Sequence, residues 1–319
     1  MTVRKKEDQA LKASVKTATA VRASAFLIAI LFVILAVACL AACTGEEGED
    51  TLPDTGTETA LPETTPEPAT DTVATEPPEE TTEEPGEPVV KKAVISGGGA
   101  GSKTYRAAFD LIDKKNPKVI VLCTAGRDTV ENINSYVGTM RGYSRNVEAI
   151  ALSTQLYDPA ELREKIVTAD LIIVGGGQSE YMMDTWKQFK VDEYLVEAYN
   201  KGVVCIGGSA GGMCWTYCAW NDFYELPDSV YKWFYGIDVI PIYYGPHFSN
   251  SALWAEFDSA IRKETSPKYD IGYAMENGTA LVFIDGKIVK SIREAGTEHI
   301  YEYKFSNGKW ARAEFAYID

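Results

Sequence analysis

Short apolar runs alternate with amphipathic stretches along the chain from Lys91 onward. The runs predict buried strands at residues 93–96, 119–123, 147–152, 171–174 and 203–206. The stretches between them have helical spacing and predict helices at residues 103–114, 129–143, 159–168 and 179–200. Strands and helices that alternate in this way form right-handed crossovers. The pattern therefore predicts an α/β domain with a mostly parallel, doubly wound sheet and helices on both of its faces.

The pattern changes after Trp215. A helix-like apolar stretch continues to about Trp220 and ends at Asn221 and Asp222, and a further strand is predicted at residues 239–244. A predicted helix at residues 252–262 is followed by predicted strands at residues 271–275, 280–284, 287–292, 299–305 and 311–318. Asp-Gly and Asn-Gly pairs at residues 285–286 and 307–308 are typical of hairpin turns. The C-terminal third is therefore predicted to extend the sheet with antiparallel strands.

Candidate chemistry is concentrated at residues 203–215, which read VVCIGGSAGGMCW. A strand that runs into glycines, a serine and a following helix is typical of a nucleophile elbow, in which a sharp turn exposes the serine at the edge of a sheet. Such a turn leaves no room for side chains beside the serine, and the small residues at 207 and 210–212 meet that requirement. Ser209 is thus the predicted nucleophile. The alternative is a glycine-rich loop that closes the unit or binds an anion, although a phosphate loop usually has a lysine after its glycines and none follows here.

Three further loops follow predicted strands. Gly97-Gly98-Gly99 follows the first strand, residues 124–127 follow the second, and Gly175-Gly176-Gly177 follows the fourth. Because ligands of parallel sheets bind at the carboxyl ends of the strands, these loops are expected to converge with the serine turn. The exposed N–H groups of residues 175–178 and the N–H of Ala210 are predicted to form an oxyanion hole. Tight strand–helix packing is the alternative explanation of both glycine triplets.

A catalytic serine needs a base within hydrogen-bond reach, and the chain has only two histidines. His247 lies at a predicted strand end, 38 residues after Ser209, and is the predicted base. His299 lies within a predicted strand and is the less favoured candidate. Three acids are candidates for the group that orients the base, in the order Asp222, Glu225 and Asp228.

The N-terminus has the pattern of an export signal. Residues 1–24 carry six Lys or Arg residues, and residues 25–42 are apolar and uncharged. The run ends in LAAC, which resembles the bacterial lipobox and implies that Cys43 is lipid-modified and begins the mature protein. A plain transmembrane anchor is the alternative. Either way, residues 1–43 predict that the folded domain lies on the extracytoplasmic face of the cell membrane.

Residues 44–90 are rich in Thr, Pro and Glu and are predicted to be a disordered tether, because such a segment cannot bury enough apolar surface to fold. Residues 44–88 hold fifteen Asp or Glu residues and no Lys or Arg, which equals the whole net charge of −15. The predicted domain, residues 91–319, is therefore close to neutral, and its charge gives no reason to expect nucleic acid as a partner.

The cysteines and histidines of the domain do not form a metal-binding pattern. No CxxC pair occurs, and the four cysteines of the domain are expected to be buried, unpaired thiols: Cys123, Cys205, Cys214 and Cys218. No motif indicates a metal, nucleotide, flavin or other cofactor.

Several motifs together resemble the dipeptidase E and cyanophycinase family of serine peptidases. They are GGSAGGMCW around Ser209, GGGQ at residues 175–178, the Pro-His pair at 246–247 and IGYAMENGTAL at residues 271–281. The resemblance covers residue 91 to the C-terminus and implies a flavodoxin-like fold similar to class I glutamine amidotransferases. It implies that Ser209 attacks a peptide carbonyl, that His247 moves the proton, and that the N–H groups of Gly176 or Gly177 and of Ala210 hold the oxyanion.

The substrate implied by the resemblance is a small peptide, either an aspartyl dipeptide or an aspartate-arginine polymer. Gln178 and Tyr181 are the predicted substrate contacts, and three arginines are candidates for binding a substrate carboxylate: Arg127, Arg141 and Arg145. Two other functions fit parts of the sequence. An α/β-hydrolase esterase shares the G-x-S-x-G pattern and would favour His299 as the base, and a tethered binding module would retain the fold without the chemistry.

Overall fold

The computed structural model describes residues 88–223, 230–249 and 251–319. The predicted signal segment with Cys43, and the predicted tether up to residue 87, lie outside the described residues. Among the residues that are described, no helix combines the length and the apolar character needed to cross a membrane.

The strands follow the predicted runs closely in the first half of the domain. In chain order they are β1 (Lys92–Ser96), β2 (Val119–Leu122), β3 (Val147–Ile150), β4 (Leu171–Val174), β5 (Val204–Gly208), β6 (Thr216–Phe223), β7 (Val230–Tyr235), β8 (Ile240–Gly245), β9 (Ile271–Met275), β10 (Thr279–Ile284), β11 (Lys287–Arg293), β12 (Ile300–Ser306) and β13 (Lys309–Glu314). The helices are α1 (Ser102–Phe109), α2 (Val130–Met140), α3 (Pro159–Val167), α4 (Ser179–Phe189), α5 (Val191–Asn200), α6 (Ala210–Met213) and α7 (Ser251–Lys263).

A seven-stranded sheet with the order β11-β10-β1-β5-β4-β2-β3 forms the centre of the fold. The five strands β1 to β5 are parallel, and β10 pairs antiparallel with β1. Alternate side chains of these strands point to opposite faces. Val94 and Val121 pack with α1 and α2, whereas Ile95 and Leu122 pack with α3, α4 and α5. The predicted doubly wound sheet with helices on both faces is therefore confirmed.

Polar caps explain where two of the helices begin. The side chain of Thr129 accepts a hydrogen bond from the N–H of Asn132, and that of Asp158 accepts from the N–H groups of Ala160 and Glu161. The predicted helix at residues 179–200 is two helices in the structure. Lys190 has a φ of 58°, a left-handed conformation that ends α4 and starts α5.

The antiparallel strands predicted for the C-terminal third are confirmed, but they do not all extend the first sheet. Only β10 and β11 extend the first sheet, and the other strands form a second, six-stranded sheet with the order β13-β12-β9-β8-β6-β7. The prediction that a helix-like stretch continues to about Trp220 is wrong. The helix α6 ends at Met213, and the strand β6 begins at Thr216. Aromatic and β-branched residues favour the pleated surface of a sheet, and Trp220 of β6 packs edge to face on Trp233 of β7 with ring centroids 4.9 Å apart.

The four cysteines of the domain are confirmed as buried, unpaired thiols. Burial raises the pKa of Cys123 to about 12, because desolvation disfavours the thiolate and the nearby Asp128 carboxylate adds to the effect. Burial likewise raises the pKa of Cys205, Cys214 and Cys218, so all four thiols are held in the unreactive, protonated form.

Candidate active site

Ser209 lies on the turn between β5 and α6, where the predicted strand–turn–helix geometry is present. Its φ of 56° and ψ of −132° lie outside the regions that residues with a side chain ordinarily adopt. The chain reverses so tightly that a Cβ atom on Gly207 would lie 2.0 Å from the carbonyl oxygen of Gly211. The turn therefore requires glycine at position 207 and projects Ser209 from the edge of the first sheet.

His247 follows β8 of the second sheet and lies beside this serine. Its Nε2 is 2.8 Å from the Oγ of Ser209. The backbone N–H of His247 donates to the carbonyl of Gly97 at 2.8 Å, which ties the histidine loop to the end of β1. The two side chains that were predicted to meet, 38 residues apart in the chain, are thus in hydrogen-bond contact.

The other ring nitrogen of His247 contacts Asn277, a residue that was not predicted from the sequence. Its Nδ1 is 2.6 Å from the Oδ1 of Asn277, in the turn between β9 and β10. Since an amide oxygen only accepts hydrogen bonds, this contact assigns the proton to Nδ1 and leaves Nε2 as the acceptor for the serine hydroxyl. The signal that points to Asn277 is the ENG turn within the motif IGYAMENGTAL.

The predicted acids do not occupy this place in the described part of the chain. Asp222 lies in β6, where it pairs with Tyr231, and not at the end of a helix. Its side chain lies outside the described residues, as do Glu225 and Asp228. The proposal that one of the three orients His247 therefore stays a prediction, whereas the contact that the structure describes is made by an amide.

The first glycine triplet supports the histidine loop. A Cβ atom on Gly98 would lie 2.5 Å from the Cε1 of His247 and 2.7 Å from the Oδ1 of Asn277. The carbonyl of Gly98 also accepts a hydrogen bond from the N–H of Gly278 at 2.8 Å. Close approach of both loops explains why this position has no side chain.

The second glycine triplet lies on the other side of Ser209. A Cβ atom built on Gly176 would lie 3.5 Å from the Cβ of Ser209, so this residue borders the serine. Gly177 instead packs on Ala125, whose carbonyl oxygen would lie 2.1 Å from a Cβ at that position. Of the two predicted oxyanion donors in this loop, Gly176 is therefore the one described beside the nucleophile.

Two further groups border the predicted oxyanion hole. Ala210 is the first residue of α6, where the backbone N–H has no partner within the helix. The N–H of Gly176 donates to the hydroxyl of Tyr136 at 3.3 Å. Burial raises the pKa of Tyr136, so this hydroxyl stays protonated. Tyr136 was not predicted from the sequence, because it lies on α2 and no local motif marks it.

The predicted substrate contacts lie at the start of α4. The N–H of Gln178 donates to the carbonyl of Ala125 at 2.7 Å. The guanidinium of Arg127 lies 4.1 Å from the ring centroid of Tyr181, a cation–π contact. Arg141 and Arg145 line a different cavity together with Lys115 and Asn116. Of the three candidate arginines, Arg127 is the one that the structure describes in contact with a predicted substrate-binding residue, Tyr181.

His299 lies in a different environment. Its Nδ1 is 2.7 Å from a carboxylate oxygen of Glu314, and its backbone N–H donates to the side chain of Glu276. The described contacts therefore pair Ser209 with His247 and His299 with an acid of the second sheet.

A cavity of about 330 Å³ opens beside Ser209, between the edge of the first sheet and helices α1 and α2. Hydroxyl groups border it together with the backbone of the glycine loops, and Ile173 and Ile206 lie in its wall. The hydroxyl-bearing residues are Tyr105, Ser135, Tyr136, Thr139 and Ser209. A pocket of this size next to a nucleophile is the natural position for one side chain of a substrate.

Comparisons with known proteins identify similar peptidases. The model of peptidase family S51 matches residues 93–291. An uncharacterized peptidase, YgaJ of Bacillus subtilis, is 25% identical over 211 residues, which cover 63% of this chain and 87% of the relative. The crystal structure of a peptidase from an acI-B1 Actinobacterium superposes with a TM-score of 0.52 at 18% identity and covers 72% of this chain and 98% of that one.

The structure of a putative peptidase E protein from Listeria monocytogenes is also similar, with a TM-score of 0.48, 15% identity and coverage of 64% of this chain and 99% of that one. The actinobacterial structure agrees with the α/β architecture described above. The family match spans more than half of the chain. This protein therefore belongs to peptidase family S51 and is a serine-type peptidase.

Proposed function

We propose that this peptidase hydrolyses small peptides through Ser209 as nucleophile and His247 as general base, with Asn277 as the residue that orients the base. The observation that carries the proposal is the 2.8 Å contact between the Oγ of Ser209 and the Nε2 of His247. A serine hydroxyl is a weak nucleophile at neutral pH, and a neutral imidazole nitrogen at this distance accepts its proton as attack begins.

The reaction proceeds in two halves. Ser209 attacks the peptide carbonyl while its proton passes to His247, and the N–H groups of Ala210 and Gly176 stabilise the negative charge on the carbonyl oxygen. The N–H of Gly176 exchanges its 3.3 Å contact with the Tyr136 hydroxyl for the substrate oxygen. Each such donor typically contributes roughly 10²–10³ in turnover. His247 then gives the proton to the leaving amine, which departs and leaves an acyl-enzyme. Water, deprotonated by the same histidine, releases the acid and restores the serine.

Asn277 supports this cycle as a positioning residue. Its amide oxygen holds the proton on the Nδ1 of His247, which keeps the Nε2 lone pair directed at Ser209. An asparagine in this role has a precedent in the Cys-His-Asn arrangement of papain-like proteases. A neutral amide stabilises the imidazolium less than a carboxylate does, so an aspartate at position 277 would favour the protonated histidine.

We further propose that the enzyme acts outside the cell, tethered to the membrane through a lipid on Cys43. The support is the sequence: a basic start, an apolar run and LAAC, followed by a polar tether. Labelling of cells with a radioactive or clickable fatty acid, followed by capture of the protein, tests this. Wild type is expected to carry the label in the membrane fraction and Cys43→Ala to lose it. Equal labelling of both proteins would contradict the lipid anchor.

Substitution of the two central residues tests the peptidase mechanism. Ser209→Ala and His247→Ala are each expected to lower kcat by roughly 10³ or more while the thermal unfolding transition remains. His299→Ala is the matched control, because it removes the other histidine, which pairs with Glu314, and it is expected to retain activity. A fluorophosphonate probe should label wild type and not Ser209→Ala. If His299→Ala lost activity and His247→Ala kept it, the alternative esterase arrangement would be favoured instead.

A further inference from the structure

We propose that the cavity beside Ser209 binds the side chain of the residue whose carbonyl is attacked, and that it selects an uncharged, hydrogen-bonding side chain such as asparagine, serine or threonine over aspartate. This inference rests on the proposed peptidase mechanism and specifies its substrate class. The proposed substrate preference differs from the aspartyl substrates that the family resemblance implies.

The cavity has polar walls without a cation. Among the described residues that line it there is no Lys, Arg or His, and its polar side chains are the five hydroxyl groups named above. An ionised carboxylate that leaves water needs a positive partner, since burying an unpaired charge costs far more than burying a hydrogen-bonded amide. Hydroxyl groups donate and accept hydrogen bonds, which suits an amide or an alcohol.

The two tyrosines of the cavity remain neutral hydroxyls. Burial raises the pKa of Tyr105 to about 12, and Tyr136, Tyr143 and Glu294 add to the effect. Burial also raises the pKa of Tyr136. None of the groups that shift either tyrosine is a cation. Burial in this cavity thus favours neutral groups, and it would disfavour the ionised form of a substrate carboxylate in the same way.

A fixed anion lies close to this cavity. The carboxylate of Glu294 accepts hydrogen bonds from the N–H groups of Gly101 and Lys103 and from both the N–H and the hydroxyl of Thr104, at 2.7–3.2 Å. Burial alone would raise the pKa of Glu294, but these bonds outweigh it and hold the pKa below its usual range. Glu294 therefore stays ionised and repels a second carboxylate that enters near Tyr105.

Positive side chains near these elements have other contacts. The Nζ of Lys103 donates to the carbonyls of Arg293 and Glu294. The guanidinium of Arg106 lies 5.6 Å from the ring of Tyr143, and that of Arg127 lies over Tyr181. None of the three lines the cavity.

A matched pair of substrates tests the selectivity. Asparaginyl-leucine and aspartyl-leucine have nearly the same shape and differ in one charge. We expect kcat/KM for the asparaginyl peptide to be at least tenfold higher at pH 7.5, a moderate ratio because the rim residues Ser135 and Thr139 are exposed to solvent. Equal rates, or a faster aspartyl peptide, would overturn the proposal and leave the peptidase mechanism intact.

A charge added to the rim provides the second arm. Thr139→Lys places a cation at the cavity and is expected to shift the Asp/Asn ratio of kcat/KM toward aspartate by about tenfold. Asn134→Lys adds the same charge to an exposed position of α2 outside the cavity lining, and the ratio is expected to stay unchanged. An equal shift in both variants would refute the assignment of the cavity.

Binding to Ser209→Ala separates failure of this proposal from failure of the mechanism. Isothermal titration of this variant with the two dipeptides reports selectivity without any hydrolysis. Tighter binding of the asparaginyl peptide supports the cavity assignment even if wild type hydrolyses neither peptide. If, in addition, the fluorophosphonate probe does not label wild type, the proposed mechanism is overturned and the cavity assignment stands. Tighter binding of the aspartyl peptide overturns the cavity assignment.

Discussion

Replacement of Asn277 by aspartate tests which group orients His247. The substitution keeps the shape of the side chain and converts the acceptor, 2.6 Å from the Nδ1, into a carboxylate. The negative charge favours the imidazolium form, in which His247 no longer acts as a base. The acidic limb of the pH profile of kcat/KM, which reports the free enzyme, is therefore expected to move to higher pH.

The size of the shift follows from the exposure of the pair. Two unit charges about 4 Å apart interact by about 4 kcal/mol at an effective dielectric constant of 20, whereas exposed ion pairs contribute roughly 0–1 kcal/mol. Asn277 is exposed and His247 is half-buried, so an intermediate value of about 1.4 kcal/mol is expected. Since one pH unit corresponds to about 1.36 kcal/mol, the acidic limb should move upward by about one unit.

The assay is kcat/KM for one peptide between pH 5 and 9, measured for wild type, Asn277→Asp and Asn277→Ala. The alanine variant loses a hydrogen bond to a group that becomes charged, and a decrease of roughly 10–100-fold is expected. Asn307→Asp is the control, because it places the same charge in the hairpin turn between β12 and β13. An unshifted acidic limb in Asn277→Asp together with full activity of Asn277→Ala would refute the role of Asn277. That result would favour Asp222, Glu225 or Asp228 as the group that orients His247.

Two further predictions concern the surroundings of the site. Gly98→Ala is expected to lower kcat/KM at least 100-fold with a folded protein by circular dichroism, because the new Cβ would lie 2.5 Å from the Cε1 of His247; retained activity would show that the loop adapts. Glu294→Gln is expected to lower the free energy of unfolding by about 1 kcal/mol at pH 7, since the carboxylate caps the start of α1. Because its folded pKa is lowered, the difference from wild type should be full above the ordinary glutamate pKa and disappear as the pH falls through the lowered folded value. Denaturant titrations of both proteins at several pH values measure the free energies of unfolding. A difference between the two proteins that does not change with pH would contradict the capping role.

The first sheet was predictable because four of its parallel strands, β1, β2, β4 and β5, are buried on both faces and are bounded by polar or glycine residues. Residues 93–96 and 171–174 are examples, and both are strands in the structure. The elbow was predictable for a similar reason, since only small residues fit around Ser209. Both requirements are local, so they can be recognised in the sequence without knowledge of the fold.

The second sheet and the partner of His247 depend on long-range pairing. Residues 216–220 continue an apolar stretch that fits a helix or a strand, and the pairing of β6 with β7 and β8 decides the outcome. Asn277 is 30 residues from His247 in the chain, and an asparagine before glycine is a common turn signal. The Asn-Gly pair alone does not distinguish this turn from the one at Asn307, and the contact of Asn277 with His247 emerges only from the fold.

The candidate site joins the two sheets at one point. Ser209 follows β5 of the first sheet, His247 follows β8 of the second, and Asn277 lies where the chain passes from β9 in the second sheet to β10 in the first. The carbonyl of Gly97 accepts a hydrogen bond from the N–H of His247, and that of Gly98 accepts one from the N–H of Gly278. The end of β1 therefore holds both the histidine loop and the turn with Asn277. A displacement of one sheet relative to the other would separate the serine from its base. The glycine triplet after β1 therefore supports both loops, and the spacing of the three side chains depends on it.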